Sequence, residues 1–69
     1  MLINRYHFEL ACAAMCINPA EAVQRAGLPP ETEEKIMKFQ ELPPAEVGKL
    51  AAALQVAPAD IADPGLIDP

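Results

Sequence analysis

Asn18-Pro19-Ala20-Glu21-Ala22-Val23-Gln24-Arg25-Ala26-Gly27-Leu28-Pro29-Pro30-Glu31-Thr32 holds a helix start, a helix stop and a second helix start in immediate succession. Asn18 is a good N-cap, and Pro19 suits the first helical position because its missing N–H would have had no partner there. Glu21 stands three residues after the cap, a capping-box-like spacing. Gly27 provides a left-handed residue past the last turn, so the spacing predicts a helix over 19–26 with Ala22, Val23 and Ala26 inward. Pro30 opens the next helix, over 30–39, with Glu31 and Glu33 in the first turn where the helix dipole favours carboxylates. The inward stripe of that helix is Ile36 with Phe39, or Ile36 with Met37, and Leu42 ends the segment.

The same punctuation extends in both directions. Upstream, Asn4 caps a helix over 5–16 in which Phe8, Ala11, Cys12 and Met15 fall at i, i+3, i+4 and i+7. Ile3 before the cap and Phe8 after it have the spacing of a hydrophobic staple, and Ile17 enters the core as the chain turns. Downstream, Pro43-Pro44 stops one helix, because the residue before a proline avoids the α region, and starts another over 44–55. Val47, Leu50, Ala51 and Leu54 give that helix an apolar stripe. A last helical turn over 58–62 is pinned by Ile61. The expected domain spans 1–62, with 63–69 a flexible C-terminal tail. The expected core comprises Phe8, Ala11, Ile17, Val23, Ala26, Leu28, Ile36, Val47, Leu50, Leu54 and Ile61.

The composition agrees with an all-α fold. Apolar residues of the AVILMFWYC set make up 52% of the 69 residues, yet the aromatic share is 4% and there is no Trp. β-Branched residues are scattered singly and never alternate over a strand's length, so no sheet is expected. One domain this small buries only about 60% of the surface its unfolded chain exposes, and its stability margin is a few kcal/mol.

At this point the residues resemble the lambda-repressor-like, Cro/XRE-type helix-turn-helix family, in the short form found on bacterial integrative and conjugative elements and prophages. Three segments carry the resemblance: Cys16-Ile17-Asn18; Ala26-Gly27-Leu28-Pro29 with Thr32; and Pro44-Ala45-Glu46-Val47-Gly48-Lys49-Leu50-Ala51-Ala52-Ala53-Leu54-Gln55-Val56. The match runs over roughly residues 3 to 61, and its last segment is the most specific. It implies a compact four- to five-helix lambda-repressor-like bundle containing a helix-turn-helix, with 19–26 the first helix of the motif and 30–39 the recognition helix. It further implies a transcriptional regulator of a mobile element that docks in the major groove of double-stranded DNA. Its DNA-facing positions map onto Pro30, Glu31, Thr32 and Lys35, with Lys38 and Gln40 near the backbone. Thr32 and Lys35 are the expected base-side contacts, Lys38 a phosphate contact, and Glu31 a group able to accept from cytosine N4.

The sequence also departs from that family's pattern. Pro30, Gln40 and Pro43 stand where basic residues are common, Glu33 where a buried apolar residue is usual, and Phe39 where glycine often ends the helix. Net charge is −5, from five basic and ten acidic side chains, and no segment is basic. The electrostatic term that supplies most nonspecific DNA affinity is therefore small, and any DNA binding is expected to be weak. On a plain solvated face, Lys35 would pair with Glu31 at i, i+4. The rival expectation is a protein–protein interaction module that keeps the fold without DNA binding. An unpaired Glu33 resists burial, so the third helix would turn and expose Met37 or Phe39 to a protein partner or a second copy.

Other chemistries have little to stand on. The chain has no Ser, a single Thr and a single His, so hydroxyl nucleophiles reduce to Thr32 and Tyr6 and no acid–base pair accompanies His7. Cys12 and Cys16 lie at i, i+4, but structural zinc needs four ligands and His7 lies off that face. The expectation is a non-catalytic protein without metal, cofactor or small-molecule substrate, its thiols reduced. No apolar run approaches the roughly 20 residues that span a bilayer, and no signal-peptide order is present, so a cytoplasmic location is expected.

Overall fold

The computed structural model describes residues 1–63. It contains four helices: α1 (Arg5–Ala14), α2 (Pro19–Arg25), α3 (Glu31–Met37) and α4 (Pro44–Leu54), followed by a single 3₁₀ turn over Pro58–Asp60. Two short strands, β1 (Leu2–Ile3) and β2 (Ala62–Asp63), pair antiparallel with Leu2 opposite Asp63 and Ile3 opposite Ala62. The protein is thus a mostly helical domain, and the expectation of no sheet is corrected. A two-residue strand cannot display an alternating pattern, so nothing in the sequence announces it. The pair forms because Ile3 and Ala62 are both buried and their backbone groups need partners. The Asn4 N–H extends the pairing by donating to the Ile61 carbonyl at 2.8 Å. Asp63, expected as the start of a loose tail, belongs to this pair, while the rest of that tail, 64–69, lies outside the described residues.

Helix starts follow the sequence closely. The Asn4 side chain accepts from the His7 N–H at 3.1 Å, and that of Asn18 accepts from the Glu21 N–H at 2.8 Å. The reciprocal half of the capping box is absent, because the Glu21 carboxylate instead accepts from Arg25 at 2.7 Å.

Helix ends repeat one device. Cys16, Gly27, Phe39 and Gln55 all have left-handed backbone, with φ of 59°, 75°, 56° and 59°. After each helix the left-handed N–H donates three residues back, and the following N–H donates five residues back, as in Ile17 to Cys12, Leu28 to Val23, Gln40 to Lys35 and Val56 to Ala51. This is the Schellman arrangement, which satisfies carbonyls that a helix end leaves open. Ile17, Leu28 and Val56 then fold onto the core as partly buried residues, whereas Gln40 stays exposed. The early stops explain why α1 and α3 are shorter than the expected 5–16 and 30–39.

α4 is central. Its Val47, Leu50, Ala51 and Leu54 are buried, and it packs most extensively on α2 and on the 3₁₀ turn. Around it lie Phe8 and Cys12 of α1, Ala22 and Val23 of α2, Thr32 and Ile36 of α3, then Leu42, Ile61 and the strand residues Ile3 and Ala62. Of the expected core, Ala11, Ile17, Ala26 and Leu28 are partly buried at its margin. Ile3, Leu42, Thr32 and Ala62 are core members outside that expected set.

Two substitutions test this packing. Leu50→Ala is expected to cost about 2–5 kcal/mol, enough to threaten folding at this size, measured as a fall in the urea midpoint. At the helix ends, a Cβ on Gly27 would meet nothing within 4 Å. Gly27→Ala should therefore cost only the backbone penalty of about 1–2 kcal/mol, while Gln55→Gly should leave stability unchanged or raised.

Candidate nucleic-acid interface

α3 stands at the surface with one edge sunk. Thr32 and Ile36, at i and i+4, are the residues it buries, at 2% and 0% exposure. This corrects the expected inward stripe of Ile36 with Phe39 or Met37. The helix ends at Met37, and the left-handed turn at Phe39 swings that ring outward to 56% exposure. Met37 lies beside the buried stripe and is only partly covered. Thr32, expected as a base-side contact, is buried at 2% exposure, so in this structure its side chain packs against the scaffold.

The exposed residues of α3 and its exit are Glu31, Glu34, Lys35, Lys38, Phe39 and Gln40. The acids occupy the N-terminal turn and the lysines lie towards the C-terminus, the arrangement the helix dipole favours. The expected Glu31–Lys35 pair does not form; Glu34 and Lys38 come within 3.8 Å instead, both well exposed. Such a pair contributes little to stability, but it holds a carboxylate beside one of the two cations a phosphate would seek. Arg25 is similarly engaged by Glu21, and Arg5 by Glu9 at 3.7 Å. Lys35 and Lys49 make no ion pair with another described residue.

Glu33 avoids the core. It lines a small cleft between α2 and α3 together with Ala20, Val23, Gln24, Leu28 and Pro30. The cleft is mostly apolar, and Glu33 sits half-buried at its edge. The position therefore keeps its carboxylate hydrated by edging it out, at the cost of a less complete seam between the two helices.

Phe39 is not an isolated apolar surface. The guanidinium of Arg5, at the start of α1, lies 5.7 Å from its ring centroid, within the range of a cation–π contact. Met37 and Phe39 lie at the same end of α3, the first partly covered and the second exposed.

The remaining reactive groups are dispersed. Cys12 is buried and Cys16 exposed, both as free thiols. Burial pushes the Cys12 thiol up from its ordinary pKa, and the Glu9 carboxylate adds to the rise. Among the described residues no three of His, Cys, Asp and Glu are grouped to hold a metal ion. No helix of the described residues is long and apolar enough to cross a membrane. Compared with known protein families, curated proteins and solved structures, the chain matches none.

Thiol chemistry gives a direct check on this placement. In the folded protein a thiol reagent should modify Cys16 rapidly and Cys12 only on unfolding. Because the folded state holds the Cys12 proton more tightly, its contribution to stability is intact below the ordinary thiol pKa. It is lost only as pH rises through the higher folded value, so urea midpoints should fall in alkaline solution, and less so in Cys12→Ala.

Proposed function

We propose that this protein is a helix-turn-helix DNA-binding regulator of a mobile genetic element, with α2 and α3 as its motif and low intrinsic affinity. The observation that carries the proposal is the disposition of α3. It follows α2 after a glycine turn, sinks Thr32 and Ile36 against the scaffold and leaves Lys35, Lys38 and Gln40 in solvent. That is the disposition a groove-reading helix requires, and it accords with the family resemblance of the sequence. Lys35 is the base-side contact, Lys38 and Gln40 contact the backbone, and Glu31 accepts from cytosine. Thr32 acts only through packing.

The acidic first turn of α3 makes binding weak. Two lysines near phosphates release few counterions, so the slope of log K against log salt should be shallow, roughly −2. A second reading, a protein-interaction module that keeps the fold without the DNA function, is favoured by one observation: the outward Phe39 ring at 56% exposure. Phe39→Ala should abolish capture of such a partner and leave DNA binding unaltered.

Salt-titrated binding to duplexes from the DNA around its own coding sequence separates the two readings. Lys35→Ala should cost about 1–3 kcal/mol and relax discrimination at one base position, while Lys38→Ala should weaken all sequences alike. Glu34→Gln should tighten binding, because it removes a repulsive charge and releases Lys38. Thr32→Val should change stability and not specificity. Absence of saturable binding at low salt would overturn the DNA reading.

A further inference from the structure

The seam between α2 and α3 is left open where Glu33 is edged out of it. The opening is a cleft of about 340 Å³, at the small end of the range of ligand pockets. Of its lining residues, Val23 is buried and Leu28 half-buried, while Ala20, Gln24 and Pro30 reach solvent. No basic side chain lines it. The half-buried Glu33 carboxylate makes no hydrogen bond or ion pair with another described residue. Its neighbours one helical turn away are Pro29, Pro30, Ile36 and Met37, none of them basic. The bases close by in sequence are turned elsewhere. Arg25, one residue past Gln24, is held by Glu21 at 2.7 Å, Lys38 lies by Glu34 at 3.8 Å, and Lys35, two residues on, is on a different face of α3.

We infer that this cleft binds a small organic cation, an ammonium group carried on one compact apolar body such as a single ring. The ring takes the place of water against Val23 and Leu28, which are apolar surface the two helices leave uncovered. The ammonium pairs with the Glu33 carboxylate and donates to the Gln24 amide oxygen at the same rim. A neutral molecule of the same shape would strip water from the carboxylate and return nothing to it, and an anion would be repelled. Glu31 and Glu34, in the same turn as Glu33, deepen the negative field there beyond what the helix N-terminus offsets. The cleft is too small to seat a helix about 10 Å across, so the occupant is a free small molecule. None of this depends on the DNA reading, and the site stands if that reading fails.

Titration of the isotope-labelled full chain with benzylammonium chloride at constant ionic strength, followed by amide chemical shifts, provides the test. Saturable shifts centred on residues 20–33 are expected, with a dissociation constant in the millimolar range. Benzyl alcohol should bind about fivefold more weakly, and benzoate not measurably. Glu33→Gln keeps the shape of the rim and removes its charge, so it should bring benzylammonium down to the level of the alcohol. Ala20→Leu, at an exposed helical position, should fill the cleft and abolish binding of both with unchanged helical circular dichroism. Benzylammonium should also raise the urea midpoint of the wild type and not that of Ala20→Leu, because a ligand bound only to the folded chain stabilises it. A lysine tripeptide blocked at both ends stands for a protein partner and should bind no more tightly than benzylammonium. Tighter binding of the peptide overturns the assignment to a free small molecule. Equal binding of benzylammonium and benzyl alcohol, undiminished binding by Glu33→Gln, or no saturation of the wild type at high millimolar ligand overturns the site itself.

Discussion

A helix of seven residues is not stable in water by itself, because nucleation consumes the entropy of a turn before propagation returns anything. Two of the four helices here, α2 and α3, have seven residues, and α4, the longest, has eleven. Their persistence therefore depends on burial against one another, and α4 supplies the surface. Its stripe of Val47, Leu50, Ala51 and Leu54 is fully covered, and α2 lies against it. Everything else in the molecule is arranged so that short helices reach that stripe and stop in time.

Stopping in time is the work of the four left-handed helix ends. Each reverses the chain within two residues, satisfies carbonyls that would otherwise be open, and in three cases returns an apolar residue to the core margin. The cost differs between them. Gly27 adopts the conformation freely, while Cys16, Phe39 and Gln55 accept the steric penalty of a Cβ there. At α3 the device has a consequence for the surface: with Gln40 rather than an apolar residue after the turn, nothing draws that exit inward. Phe39 is left facing solvent beneath the Arg5 guanidinium.

The acidic balance of the chain runs through the site as well. Carboxylates in the first turn of α3 favour the helix and oppose a polyanion. The proposed function reconciles the two by assigning a weak, low-salt-slope interaction to the lysines nearer the C-terminus.

Helix starts, the stop at Gly27 and the central stripe of α4 were determined by the sequence alone, because caps, prolines and 3.6-residue spacing are local signals, whereas the left-handed ends at Cys16 and Phe39 that cut α1 and α3 short carry no such signal. Asn4, Asn18, Pro19, Gly27 and Pro44 each act within one turn of their own position. The fate of Glu33 was half legible: its charge forbids burial wherever the helix turns, but only packing shows that it is edged into the α2–α3 cleft. What the tertiary structure decided was which face of α3 points in and how the ends of the domain meet. Thr32 looked like a surface contact because a small polar residue near a helix start suits either setting. It is buried because the stop at Met37 takes Phe39 out of the helix and the face that α3 sinks is the i, i+4 pair of Thr32 and Ile36. The β1–β2 pair was invisible for a different reason. Two residues carry no period, and the partners lie at opposite ends of the described chain, so only the closed core brings Ile3 beside Ala62.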